Sequence, residues 1–244
     1  LNLKKLKCSS NQLLTLDISG LALLKRLNAT ANSLSTIDLS ANTQLEEIQL
    51  NVNQLEAINV LNLINLKKLE VYNNLLQVIS VSSLLQLDYL DVSGNLLPNL
   101  DVTQNTNLNY LNYSGNQLPT LDVSQNLNLQ VLDCSYTPTT NLDLSQNINL
   151  QELNCSSTQL LDLDLSNNPD VHSVVGIRSM PLTGLNLSGS GIKDFRMALL
   201  KDLPLEELDV SHCRLTDYGF LMHYKNYSKF REQRPVNRIN LTLT

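Results

Sequence analysis

One spacing constrains this chain more than any other feature. An apolar anchor followed five places later by Asn recurs with a fixed period of 21, at Leu6/Asn11, Leu27/Asn32, Ile48/Asn53, Leu69/Asn74, Leu90/Asn95 and Leu111/Asn116. The series continues through Leu132 and Leu153, with Thr137 and Thr158 in the Asn place. A constant period of this length marks a solenoid with one turn per unit. No single unit can bury its own apolar set, and each does so against the next.

Within a unit the residues around the anchor alternate, as in Tyr110-Leu111-Asn112-Tyr113-Ser114. Leu111 and Tyr113 point inward, Tyr110, Asn112 and Ser114 outward, and such alternation reads as a short strand. Successive turns then stack these strands into a parallel sheet at about 4.8 Å spacing. The Asn ends the strand. Turned inward, its amide satisfies backbone groups of its own and neighbouring turns. Thr137 and Thr158 keep one donor and fewer bonds, so this ladder loosens from Thr137 onward.

The return limb carries a second block, Leu16-Asp17-Ile18-Ser19 and its equivalents, with Asp38, Asp101, Asp122, Asp143 and Asp164 in the Asp place. The limb is too short for a standard helix, and an extended or 3₁₀ convex side is expected, with short second strands possible. Stacked carboxylates roughly 5 Å apart repel unless compensated. Two compensations suit them: a cation such as Ca²⁺ between coils, or local bonding of each Asp to turn N–H groups. Asn59 and Ser80 interrupt the series but keep an acceptor, which favours the second.

Regularity stops after Leu165. Val174 takes the next anchor place with Ser179 in the Asn place, but the next strand-like run, Leu182-Thr-Gly-Leu185-Asn-Leu187, follows only about half a period later. Either that turn is truncated or Val171–Pro181 is inserted. Beyond it the spacing widens beyond the regular period, from Leu185 to Leu208 and again from Leu208 to Ile239. Phe195–Leu203 and Tyr218–Arg231 have helical composition, and Arg238–Thr244 reads as a last strand. The expected organisation is a regular array over 1–170 and longer, irregular turns with a cap-like end over 171–244, in one continuous domain.

The net charge is −6 and no basic face is sustained along the turns, which argues against nucleic acid as partner. No apolar run is long enough for a membrane span. The chain opens at Leu1 inside a repeat, which reads as a piece of a longer protein. Cys8, Cys134 and Cys155 stand two places past an anchor, a position held elsewhere by Ala29, Leu50, Val71, Val92 and Tyr113, and there act as small buried hydrophobes. Cys134 and Cys155 fall on adjacent turns, but parallel side chains suit a disulfide poorly. His172, His212 and His223 belong to no metal spacing or nucleophile signature, the 8 glycines form no phosphate loop, and no cofactor is expected.

The segment Leu108-Asn-Tyr-Leu111-Asn-Tyr113-Ser-Gly-Asn116-Gln-Leu118 resembles the consensus of leucine-rich repeat proteins, Leu-x-x-Leu-x-Leu-x-x-Asn/Cys-x-Leu, nearly in full. With its constant period and Leu-Asp-Val-Ser phrases, the stretch 1–170 is similar to bacterial surface or secreted members such as the internalins and related Bacteroidetes proteins. The phrases Pro181-Leu-x-x-Leu185-Asn-Leu-Ser and Pro204-Leu-x-x-Leu208-Asp-Val-Ser are similar to a longer, helix-bearing class. The resemblance implies a right-handed superhelix with a concave parallel sheet, helices in the last turns, and a ligand held on the concave face.

The outward strand positions supply the candidate site. Tyr72, Tyr89 and Tyr110 fall on three neighbouring strands, with Glu70, Asp91 and Asp133 between them and Asn112 and Asn154 alongside. Tyrosine combines apolar area with a polar tip and few rotamers to freeze, so an exposed cluster suits binding. Lys4, Lys5, Lys7 and Arg26 form a basic patch at the amino end, Lys67 and Lys68 add a second, and Lys225–Arg238 holds five basic side chains against one acidic. Six Asn-x-Ser/Thr sequons are what an Asn- and Ser-rich repeat contains by composition. The reading is a non-enzymatic recognition module, outside the bacterial cell or on its surface, for a protein or glycan ligand. The alternatives are a spacer or self-associating scaffold, or the sensor region of a catalytic domain lying beyond this stretch. The pattern specifies no oligomeric state.

Overall fold

Residues 2–192, 200 and 203–213, together with the backbone of 239–240, are described by the structure, a computed structural model. Nine short strands follow the period: β1 (Lys5–Lys7), β2 (Arg26–Asn28), β3 (Glu47–Gln49), β4 (Lys68–Glu70), β5 (Tyr89–Asp91), β6 (Tyr110–Asn112), β7 (Val131–Asp133), β8 (Glu152–Asn154) and β10 (Ser173–Val175). They form one parallel sheet in that order. Each anchor lies opposite the next, Leu6 on Leu27 through Leu132 on Leu153 and on to Val174. The interior is a set of columns at this repeat, with Ile48, Leu50, Leu55, Leu69, Val71 and Leu76 all fully buried. The outward residues of each strand stand in columns of their own.

The asparagines do what the ladder requires. Asn53 Nδ2 donates to Leu50 O in its own turn (3.0 Å) and to Ala29 O in the turn before (3.1 Å), while its Oδ1 accepts Leu34 N–H (3.0 Å). Asn32, Asn74, Asn95 and Asn116 repeat the three bonds. Thr137 and Thr158 donate only to carbonyls of their own turns, Cys134 O and Cys155 O. The inter-turn side-chain bond passes to Thr139, which reaches Leu118 O (3.3 Å).

One place before that Asn, the backbone is left-handed in each of the first eight turns: Ser10, Ala31, Val52, Asn73, Gly94, Gly115, Tyr136 and Ser157 have φ between 53° and 63°. The chain leaves the sheet there by a turn that glycine makes freely and a β-branched residue resists. Val52 sits there at φ 55° and 44% exposed, so little burial offsets the strain.

The return limb is extended, closed by two successive i→i−3 turns such as Leu21 N to Ile18 O and Leu24 N to Leu21 O. A second asparagine column runs along it, at Asn42, Asn105, Asn126, Asn147 and Asn168, all fully buried. Asn126 Nδ2 donates to Val102 O (3.0 Å) and Asn105 O (2.9 Å) of the previous turn. Its Oδ1, like the other four, accepts no hydrogen bond from the protein. Leu21, Leu63 and Leu84 fill the same place in other turns.

At the break in period the chain neither truncates a turn nor inserts a segment. Val174 is a full anchor, one period past Leu153 and paired to it. What begins is a second sheet, built on the return limb: β9 (Asp162–Asp164) pairs with β11 (Gly184–Asn186), which pairs with β12 (Glu207–Asp209), then β13 (Ile239–Asn240). Leu163, Leu185 and Leu208 are its anchors. The short step from Val174 to Leu185 is the crossing between limbs, one place longer than the crossing from Leu153 to Leu163. A 3₁₀ turn at Ile177–Ser179 lies within that crossing. The helical readings of Phe195–Leu203 and Tyr218–Arg231 fall outside the described residues except at 200 and 203; of the expected last strand, Ile239–Asn240 pairs as β13.

Two substitutions separate the two asparagine columns. Asn116→Ala strands Leu97 N–H and two carbonyl bonds and costs about 3 kcal/mol, whereas Asn126→Leu, in a place leucine already fills, costs under about 1 kcal/mol. Urea unfolding midpoints at equal m-value measure both. Val52→Asn relaxes a β-branched residue from the left-handed region and raises stability by about 1 kcal/mol in the same assay.

Candidate functional site

The outward columns of the sheet bring some of the expected residues together and separate others. Tyr89 and Tyr110 occupy the same place on β5 and β6, and the register pairs them. Their rings stack with centroids 4.1 Å apart and planes 2° from parallel. Lys68, one strand back in the same column, holds its ammonium 4.2 Å from the Tyr89 ring centroid and 3.4 Å from Glu70 Oε1. Tyr72 stands apart. It lies two places beyond β4, in the column of Asn51 and Ser93, where its N–H donates to Asn51 Oδ1 (3.2 Å). The three tyrosines share a face, but only two share a contact.

The polar members of the site carry structural work as well. Asp91 Oδ1 accepts Ser93 N–H (3.0 Å) and Ser93 Oγ (2.6 Å), and Asp133 Oδ1 accepts the same pair from Ser135 (2.9 and 2.6 Å). Asn112 Oδ1 accepts Ser114 N–H (3.0 Å), and Asn154 Oδ1 accepts Ser156 N–H and Oγ. Each is an Asx turn that ends its strand. The other ends of these side chains pair across strands: Asn28 donates to Gln49, Gln49 to Glu70, Asn112 to Asp91 and Asn154 to Asp133. Glu70 and Asp91 are register partners and both are buried, at 9% and 7% exposure. Burial raises the Asp91 carboxyl above its ordinary value despite the Ser93 bonds, and the neighbouring Glu70 charge adds to it. Burial likewise raises the phenols of Tyr89 and Tyr110.

On the return limb the Asp series bonds locally. Asp17, Asp38, Asp101, Asp122, Asp143 and Asp164 each accept the N–H two places on, at 2.8–2.9 Å, and Asn59 accepts Leu61 N–H (3.1 Å). Hydrogen bonds hold the first five carboxyls below their ordinary value, the hydroxyl leading at Asp17, Asp101 and Asp143, the backbone N–H at Asp38 and Asp122. Cys134 and Cys155 are buried and free, their thiols donating to Asn154 O and Val175 O of the following turn, and burial pushes the Cys134 thiol up to about 12. Cys8, in the first turn, is only half-buried.

Three features of this surface escape the sequence reading. Lys68 closes the aromatic stack, Tyr136 is exposed at its left-handed position, and the second sheet bears a shallow hollow of about 380 Å³ around Gly184, rimmed by Asp162, Asp164, Glu207 and Asp209. Lys68 is within reach of a residue-by-residue reading, since it precedes Tyr89 by one period. The basic segment Lys225–Arg238 and His223 lie outside the described residues.

No protein-family model and no curated protein matches the sequence. Solved structures do match. A leucine-rich repeat protein of Leptospira interrogans superposes with a TM-score of 0.71 at 25% identity, over 97% of this chain and 60% of its own. The functional domain of InlJ from Listeria monocytogenes, which includes a cysteine ladder, gives 0.65 at 25% over 92% and 62%. YopM, a leucine-rich effector protein of Yersinia pestis, gives 0.69 at 21% over 86% and 60%. The chain thus spans about three fifths of the length of these proteins.

The shifted carboxyls set an acid response. For the five depressed groups, stability is fully present above the unfolded value of 3.8 and is lost as pH falls through the lower folded value; Asp91, raised, opposes this by losing its ionisation cost first. The urea midpoint therefore falls below about pH 4. The triple variant Asp101→Asn/Asp122→Asn/Asp143→Asn, which keeps the turn as Asn59 does, falls less over the same range.

Proposed function

We propose that this chain, a leucine-rich repeat solenoid, is a recognition module that binds a protein ligand on the outward face of its nine-stranded sheet, centred on β4 to β7. The observation that carries the reading is the Lys68–Tyr89–Tyr110 stack. Three large side chains are fixed against one another on a rigid sheet, so a partner meets them with their rotamer entropy already lost. Asp91, Asn112 and Asp133, locked by their turns and cross-strand bonds, supply an ordered polar surround, with Tyr72 at its edge. A protein suits the site better than a glycan, because the ring faces that a sugar would lie on are in part taken by the second ring and by Lys68.

The module works without chemistry of its own in this reading, as part of a longer protein outside the bacterial cell or on its surface. Among the described residues no helix is long and apolar enough to cross a membrane. The likeness to InlJ and to the Leptospira protein supports a bacterial setting. The regular turns supply the recognition surface, whose last strand is β10, and the second, acidic sheet begins on the return limb at β9 and forms a region of its own.

A photo-crosslinking residue in place of Tyr110 and another in place of Ile148, on the return limb, test the reading. Against surface extracts of bacterial and host cells, the first captures a defined protein in a reaction lost in the variant Tyr72→Ala/Tyr89→Ala, and the second does not. Equal capture at both places, or capture indifferent to the tyrosines, contradicts it.

A further inference from the structure

The outward surface is strongly polarised. Lys5, Lys7 and Arg26 stand on β1 and β2, but from Leu69 to Ile177 the chain has eleven acidic residues and neither Lys nor Arg. Four of the eleven, Glu70, Asp91, Asp133 and Glu152, are outward residues of the sheet. Lys68 pairs with Glu70, but no Lys or Arg follows it on this stretch to offset Asp91, Asp133 and Glu152, and acidic charge in excess on one face of a rigid sheet produces a field that selects partners of opposite sign and speeds their approach.

The aromatic column shows where that selection becomes a contact. In register order it reads Lys68, Tyr89, Tyr110, Val131, Glu152. At its near end a cation of this chain lies on a ring and is held by Glu70, the carboxylate two places along the same strand. At its far end the register sets Val131, a short side chain, beside Tyr110. Asp133 stands two places along that same strand, and Glu152 is the next residue in the column. Ring and carboxylate recur in the same relation, with valine where the near end has lysine.

We propose that the far end takes an arginine side chain of a protein partner, its guanidinium lying against Tyr110 above Val131 and facing Asp133 and Glu152. Arginine fits better than lysine, because its planar group stacks on a ring and donates in its plane to a carboxylate at once. Asp133 keeps a fixed orientation through Ser135 and Asn154, so it contributes charge at a set place, while Glu152 reaches the fork. The inference rests on the sheet face being the binding surface and specifies the chemistry of what it binds: a basic, arginine-bearing segment.

A labelled nona-arginine peptide is the probe, with nona-lysine for comparison, in fluorescence anisotropy titrations at low and high salt. Nona-arginine binds several-fold more tightly than nona-lysine, and both weaken as salt rises. Asp133→Asn/Glu152→Gln and Val131→Arg, which supplies the cation from within, each weaken binding by roughly tenfold. Asp122→Asn/Asp143→Asn on the return limb removes the same charge and changes it by less than about twofold. Absence of nona-arginine binding at low salt overturns the inference, as does a return-limb pair that weakens binding as much as the face pair. If Tyr110 crosslinks a tyrosine-dependent partner while nona-arginine does not bind, the arginine assignment falls and the sheet-face reading survives.

Discussion

An asparagine amide that bonds two turns at once is the interaction on which the rest of this structure depends. The apolar columns supply the driving force for stacking, but leucine on leucine is tolerant of sliding and says little about register. The side chains of Asn32, Asn53, Asn74, Asn95 and Asn116 are not tolerant. Each must meet a carbonyl of its own turn, a carbonyl of the turn before and an N–H of the turn before, partly buried at Asn32, buried from Asn53 onward, and costly to leave unpaired. Register fixed in this way inside the turn is transmitted to every outward column, and it is why Lys68, Tyr89 and Tyr110, each one period from the next, meet as a stack.

Much of this is legible in the sequence because the period separates inward from outward places without ambiguity. Leu111 and Tyr113 inward, Tyr110 and Asn112 outward, and the Asp series bonded to its own turns all follow from alternation and local chemistry. What escapes does so for identifiable reasons. The second asparagine column is diluted by Leu21, Leu63 and Leu84 in the same place. The left-handed position is occupied by residues as unlike as Val52, Gly94 and Tyr136, so no residue preference marks it. The change of sheets is hidden because Leu163-Asp164-Leu165-Ser166 repeats the wording of Leu142-Asp143-Leu144-Ser145. One forms a strand and the other does not, since only the former has Leu185 and its neighbours stacked beside it.

The candidate site shows the same division. Its residues could be gathered on one face from the repeat alone, but not ranked. Asp91, Asn112 and Asp133 resemble ligand groups in the sequence; in the structure each closes a strand with an Asx turn and pairs across the sheet, so the recognition role proposed for them rests on charge and order more than on unengaged atoms. Tyr72 shares the face but not the stack. The proposed binding surface accordingly centres on a column that includes Lys68, Val131 and Glu152, and on the acidic character of the turns beyond it.

The most direct measurement of the central claim is amide hydrogen exchange resolved by residue. If the asparagine ladder sets the cohesion of the solenoid, the amides of Leu34, Leu55, Leu76 and Leu97, each bonded to an Asn Oδ1 of the next turn, exchange among the slowest in the chain, and protection steps down where Thr137 and Thr158 replace asparagine. Protection that is uniform along the regular turns, or greatest beyond Thr137, would contradict it.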